Sequence, residues 1–181
     1  MSKYNFRKIS LFSNFEPEIL LDENHLFYFD NKGSIIKFDD NSNVVWRQNY
    51  YSKQDKKLQP ILFFGISGTD LFVADNIANY YVIDKNSGKL KWKKKHSSSF
   101  NSQIKIFEKK VLVIDMQNRL RCFSLETGEL IWSAKTQQSL LRSQKKQSLI
   151  VKNNKVYFNN SIGDVTAVNI SDGKIIWQTP T

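Results

Sequence analysis

The 181-residue chain has one cysteine, three prolines, seven glycines and two histidines. The lone Cys122 excludes an internal disulfide, so cysteine usage assigns no redox compartment. No apolar run reaches the roughly 18 residues that a membrane-spanning helix needs. Gly-rich phosphate-binding loops are missing. His25 and His96 share no spacing with each other or with a carboxylate that would suggest a metal site or a catalytic triad, and read as surface or rim residues. No acidic cluster has calcium-ligand spacing. The opening segment MSKYNFRKISLFSNFEPEIL is basic but lacks an apolar core, so it is not a signal peptide as it stands. Either the protein is cytoplasmic or its true start lies upstream.

What the chain does have is aromatic side chains, at 13%, within an ordinary globular balance of 40% hydrophobic and 24% charged residues. That mix favours β-structure with aromatic packing between strands. There are 27 basic against 17 acidic residues, a formal charge of +10. Such an excess suits nucleic acid, anionic lipid or an acidic partner. The lysines are scattered, however, as Lys56-Lys57, Lys93-Lys94-Lys95, Lys109-Lys110 and Lys145-Lys146 near strand ends, which reads as a solvated surface and protected edges.

Four tryptophans organise everything else. Trp46, Trp92, Trp132 and Trp177 close the phrases HLFYFDNKGSIIKFDDNSNVVW, DLFVADNIANYYVIDKNSGKLKW, KVLVIDMQNRLRCFSLETGELIW and KVYFNNSIGDVTAVNISDGKIIW. They stand 46, 40 and 45 residues apart. A period of that size with several short strands per copy marks a propeller. In the second copy, Asp70 to Asp75 and Asn79 to Asp84 read as strands. Lys89 to Lys95 reads as a third, with Leu90 and Trp92 on one face, and Leu58 to Gly65 supplies the fourth. Matching first strands are expected at Glu18–Leu21, Ser102–Phe107 and Gln147–Lys152. Four antiparallel strands in about 40 residues make a blade. The expectation is an all-β, single partial propeller domain over residues 1–181, with blades near 15–51, 57–96, 100–136 and 144–181. Helix should be nearly absent, Leu140 to Lys146 being the one plausible helical turn.

The turn before each Trp has its own logic. Gly88, Gly128 and Gly173 lie four residues ahead of their Trp, where positive φ suits glycine, and Ser42 holds that place in the first copy. Asp84 and Asn169 lie eight ahead and can accept turn amides in Asx fashion, with Asp39 in that role in the shorter first copy. Ser124 replaces the acid in the third copy and should cap more weakly. Each Trp is expected to pack its ring against the neighbouring blade.

The segments VIDKNSGKLKW, CFSLETGELIW and AVNISDGKIIW resemble the tryptophan-docking motif of PQQ-like β-propellers, over nearly the whole chain from Leu20 onward. Within that superfamily the sequence is most similar to the BamB family, propeller lipoproteins of outer-membrane β-barrel assembly. The supporting stretch follows the third Trp and runs SAKTQQ-Ser139-Leu140-Leu141-Arg142-Ser143. The resemblance implies an eight-bladed ring of which this chain is the N-terminal half, an open arc with one exposed blade face at each end. It implies a location on the periplasmic side of the outer membrane. It also implies a non-enzymatic scaffold that binds the central barrel subunit through Leu140, Leu141 and Arg142. The signal peptide and lipidated cysteine of that family are not found in this sequence. A PQQ-dependent dehydrogenase, the enzymatic alternative, would need calcium ligands, a catalytic Asp and in many members a Cys pair. Only Cys122 is present, at an apolar position ten before Trp132. No cofactor or metal is expected. A basic propeller binding nucleic acid or anionic lipid is the other alternative.

Overall fold

The computed structural model describes residues 18–30, 32–136 and 146–179. Its strands form four antiparallel sheets of four strands, each strand pairing with its neighbour in chain order. The contacts divide the chain into two compact units, Met1–Leu62 and Phe63–Thr181.

The first unit holds one sheet: β1 (Leu20–Asp22), β2 (His25–Phe29), β3 (Ser34–Phe38) and β4 (Val44–Asn49). Phe27, Phe29, Ile35 and Ile36 are buried, and the Phe27 ring lies 5.9 Å from that of Trp46. Gly33, at φ +77, turns the central hairpin where a Cβ would meet the Tyr51 ring at 2.7 Å. After β4 comes a single turn of helix, α1 (Lys53–Lys57), the only helix among the described residues. Sequence periodicity had no window long enough to show it. Its cause is local: Ser52 Oγ accepts the Asp55 amide, and the Asp55 carboxylate accepts the Ser52 amide in return, a reciprocal capping box. The helical turn expected at Leu140 to Lys146 lies, but for Lys146, outside the described residues.

The second unit holds three sheets. They are β5 (Leu62–Ser67) to β8 (Leu90–Lys95) through β6 (Asp70–Asp75) and β7 (Asn79–Asp84); then β9 (Lys105–Phe107), β10 (Lys110–Ile114), β11 (Arg119–Ser124) and β12 (Leu130–Lys135); then β13 (Leu149–Lys152), β14 (Lys155–Asn159), β15 (Val165–Asn169) and β16 (Ile175–Thr179). First strands of adjacent sheets come close together. Gly65 in β5 leaves room for Ile104, whose Cγ2 would be 2.6 Å from an added Cβ, and Ser102 forms a parallel bridge with Gln147. Between the last two sheets lies one apolar core, with Leu112, Ile114, Leu120 and Cys122 facing Leu149, Val156, Phe158 and Val168. Cys122 is fully buried, and burial pushes its thiol up to about 12, so it packs as a small apolar residue.

One expectation fails in every blade. Simple alternation puts Leu90 and Trp92 on the same face, but the ladder slips between them: Trp92 pairs with Val82 and Leu90 with the adjacent Ile83. The same slip precedes Trp46, Trp132 and Trp177. One unpaired residue in the outer strand (Val45, Lys91, Ile131 or Ile176) is therefore a β-bulge, which turns the Trp relative to the residue two before it. The bulge leaves Val44, Leu90, Leu130 and Ile175 on the solvent side, each more than a third exposed.

Candidate functional site

Leu140, Leu141 and Arg142 lie outside the described residues, in the connection between β12 and β13. Both stems of that connection are described, and both are tied to Asn118. Thr136, just after β12, donates its hydroxyl to the Asn118 carbonyl at 3.1 Å. Gln147, just before β13, donates Nε2 to Asn118 Oδ1 at 3.0 Å and to Ser161 Oγ at 3.2 Å. Ser161 Oγ and its amide add donors to the same Oδ1, at 2.7 and 3.2 Å. The Gln147 backbone is pinned as well, donating to Asn101 O at 3.0 Å and accepting from Gln103 N at 2.9 Å. Asn118 is buried and sits at φ +57, a conformation Asn tolerates better than most residues. It stands at the tip of the β10–β11 hairpin, so one buried residue meets both ends of the connection, Thr136 through its main-chain carbonyl and Gln147 through its side chain.

That hairpin is itself a repeated device. Asp30, Asp75, Asp115 and Asn160 each begin the central hairpin of a sheet and use Oδ1 to accept amides two and four residues on, at 2.7–3.1 Å. These four positions were missed in the sequence reading, although the phrases YFDNKG, VADNIA, VIDMQN and FNNSIG carry them in register. The second carboxylate oxygen varies by blade. Asp30 takes Arg47 at 2.6 Å, Asp75 takes Asn79 at 3.0 Å, and Asp115 takes Arg121 Nε at 2.8 Å. Asp115 and Arg121 are both buried, and His96 Nε2 lies 3.7 Å from the same oxygen. Burial alone would raise the Asp115 carboxyl. The nearby imidazole and the Arg121 guanidinium outweigh it and hold it below the usual carboxylate range. Of the surface or rim positions expected for it, His96 thus takes a partly buried one, its side chain 13% exposed. Its ring stacks on Phe100 at 5.4 Å and meets Phe123 edge-on at 5.7 Å. No sequence signal distinguishes such a histidine from an exposed one, because its burial comes from the next sheet.

The outer turns follow one scheme. Asp84 Oδ1 accepts Asn86 N, Ser87 N and Ser87 Oγ at 2.8–3.1 Å, and the Ser87 amide first of all lowers its carboxyl. Asn169 accepts Ser171 N at 2.8 Å, Asp39 accepts Asn43 N at 2.7 Å, and Ser124 accepts only Thr127 N at 3.2 Å. Gly88, Gly128 and Gly173 take φ of +70, +70 and +73. A Cβ on Gly128 would come within 2.7 Å of the Trp92 ring, and one on Gly173 within 2.6 Å of Trp132. The indoles complete the contact: Trp92 Nε1 donates to Leu125 O at 3.1 Å and Trp132 Nε1 to Ile170 O at 2.9 Å.

Among the described residues, no group of three His, Cys, Asp or Glu side chains could hold a metal ion, and no helix is long and apolar enough to cross a membrane. No curated protein sequence matches the chain. Solved structures do. BamB from Moraxella catarrhalis superposes with TM-score 0.64 at 17% identity over 89% of this chain and 47% of that one. The computationally designed Ika8 protein gives 0.73 at 13% over 89% and 48%. The quinohemoprotein alcohol dehydrogenase ADHIIG from Pseudomonas putida HK5 gives 0.71 at 12% over 90% and 33%. At these identities the likeness shows the fold alone, and the chain spans half or less of each. The sequence carries more than the fold does: with its residues 31–181 matching the family model, the chain belongs to the family described as the outer membrane protein assembly factor BamB.

Proposed function

We propose that this chain is a non-enzymatic adaptor on the periplasmic side of the outer membrane, where it binds the central subunit of the β-barrel assembly machinery. Leu140, Leu141 and Arg142 are the contact residues. The observation that carries the reading is the family match over residues 31–181. The doubly tied stems at Asn118 support it, because a binding segment held at both ends loses less freedom when it docks. Two Leu beside an Arg suit a docking anchor, since a few desolvated side chains carry most interface energy. Of the 27 basic residues, Lys91, Lys94 and Lys109 each already engage a carboxylate, of Asp70, Glu129 and Glu126, which makes these three less available to an anionic ligand.

Leu141→Glu or Arg142→Glu is expected to abolish co-purification with the barrel subunit of the same organism while the β-rich circular dichroism stays unchanged. Retained co-purification would remove these residues from the interface. Asn118 provides a second test at a distance from the anchors. Asn118→Ala leaves three donors without their acceptor and should cost about 1–3 kcal/mol of stability. It should also weaken capture by about tenfold, as would follow from some 1.4 kcal/mol of lost preorganisation. Asn118→Asp keeps the oxygen that all three donors use and should retain capture. If Ala and Asp variants bind alike, Asn118 does not position the loop.

A further inference from the structure

β11 and β12 set two cations directly opposite each other. Arg119 pairs with Lys135 across the ladder, and like charges in that relation repel. At the matching position the other sheets pair Ser34 with Asn49, Asn79 with Lys95, and Val165 with Thr179, never two charges of one sign.

Both side chains share one face. Leu120, Cys122 and Ala134 turn into the core shared with the last sheet, so alternation sends Arg119, Arg121 and Lys135 the other way. On that face Arg121 has its carboxylate, while Arg119 and Lys135 meet none among the described residues. Asp115 is already engaged: Oδ1 takes the Gln117 and Arg119 amides, and Oδ2 takes Arg121 Nε. The connection after β12 brings no acid either, because the sequence has no Asp or Glu between Glu129 and Asp164. Lys135 is exposed and Arg119 half-buried, so the pair is open to solvent.

The position of the pair gives this charge a use. Lys135 precedes Thr136 and Arg119 follows Asn118, the two residues whose hydrogen bond holds the first stem of the connection. The Arg119 backbone is fixed, its amide donating to Asp115 Oδ1 at 3.1 Å and its carbonyl accepting the Asp115 amide at 3.0 Å. Residues opposite in a ladder hold their Cβ atoms about 5 Å apart, so a single carboxylate can meet both cations. Two charges are fewer than nucleic acid requires, since it is held through many phosphates. They are also fewer than the clusters of about 4–8 basic residues that an anionic membrane draws.

We propose that Arg119 and Lys135 form a carboxylate-binding pair, and that the protein partner places an acidic side chain, Asp or Glu, between them when the connection docks. The proposal rests on the adaptor reading. It adds a charge contact on the sheet to the anchors in the connection, and docking relieves a repulsion that the free protein retains.

The test compares Arg119→Gln with Lys135→Gln in one chain against a control, Lys152→Gln with Lys155→Gln. The control removes the same charge from another directly opposed pair, exposed at the other end of β13 and β14. Capture of the barrel subunit is measured at about 0.05 and 0.3 M salt. At low salt the Arg119/Lys135 variant should bind about tenfold more weakly than wild type, the control should bind nearly as well as wild type, and the gap should narrow at high salt. The urea midpoint of the Arg119/Lys135 variant should hold or rise, because a repulsion is removed. Undiminished capture by that variant overturns the proposal and leaves the adaptor reading standing. An equal loss in the control overturns it too, as general charge attraction, and so does a urea midpoint that falls together with capture. Should wild type itself capture no barrel subunit, the adaptor reading fails and polyglutamate decides the proposal. Polyglutamate binding weakened in the Arg119/Lys135 variant alone sustains a carboxylate site, whereas equal binding by all three proteins overturns it. Binding to phosphatidylglycerol vesicles lost in that variant would assign the pair to a membrane, which also overturns it.

Discussion

Trp132→Ala is expected to lower unfolding stability by about 3–5 kcal/mol, the range for removing a large aromatic from a packed site. The ring caps the core shared by the last two sheets and pairs across its own ladder with fully buried Cys122. Its Nε1 donor serves the carbonyl of Ile170, a residue with no exposed surface. Removing the indole thus opens a void and strands a buried acceptor. Gly173→Ala attacks the same contact from the other side, because the new Cβ meets the ring at 2.6 Å and the backbone sits at φ +73. The two changes must then be non-additive. In a Trp132→Ala background the clash is gone, and Gly173→Ala should cost only the backbone penalty, about 1–2 kcal/mol. Urea midpoints of the four proteins measure this cycle. Simple additivity would mean that ring and glycine do not pack as described.

Asp115→Asn is expected to cost about 3 kcal/mol at neutral pH, within the range for leaving a buried charge without its partner. Asn keeps the Oδ1 acceptor for the Gln117 and Arg119 amides, as Asn160 does in the last sheet for Ile162 and Asp164. The turn survives, and what is lost is the carboxylate facing Arg121. The sign of the pH dependence follows from the lowered carboxyl of Asp115. A group whose folded value lies below its unfolded value contributes stability above the unfolded value, about 3.9 for Asp, and loses it as pH falls through the folded value. The gap between wild type and Asp115→Asn should therefore be full at pH 7 and shrink on acidification below about pH 4. A gap of equal size at both pH values would assign the cost to packing rather than charge.

Much of this was written along the chain. Asp70–Asp75 and Asn79–Asp84 are strands over the residues that their alternation and turn signals indicate. First strands were placed less well: Leu58 to Gly65 is in fact the C-cap of α1, a loop and β5 from Leu62. A first strand has only half its ladder to define it, and the capping box of Ser52 competes locally for the backbone. The bulge before each Trp left no mark, because an unpaired residue has no compositional signature and here is Val, Lys or Ile.

Local chemistry within one repeat fixed the sheet class, the turn glycines and the Asx acceptors, since these depend on residues a few positions apart, and the period of the tryptophans fixed how many sheets there are. Contacts between sheets decided the rest. His96 is partly covered by Phe100 and Phe123, Asn118 gathers donors from residues 136, 147 and 161, and Trp177 alone of the four lies open. Each of those outcomes depends on which neighbour arrives from far along the chain, and a repeat that reads the same in every copy carries no information about that.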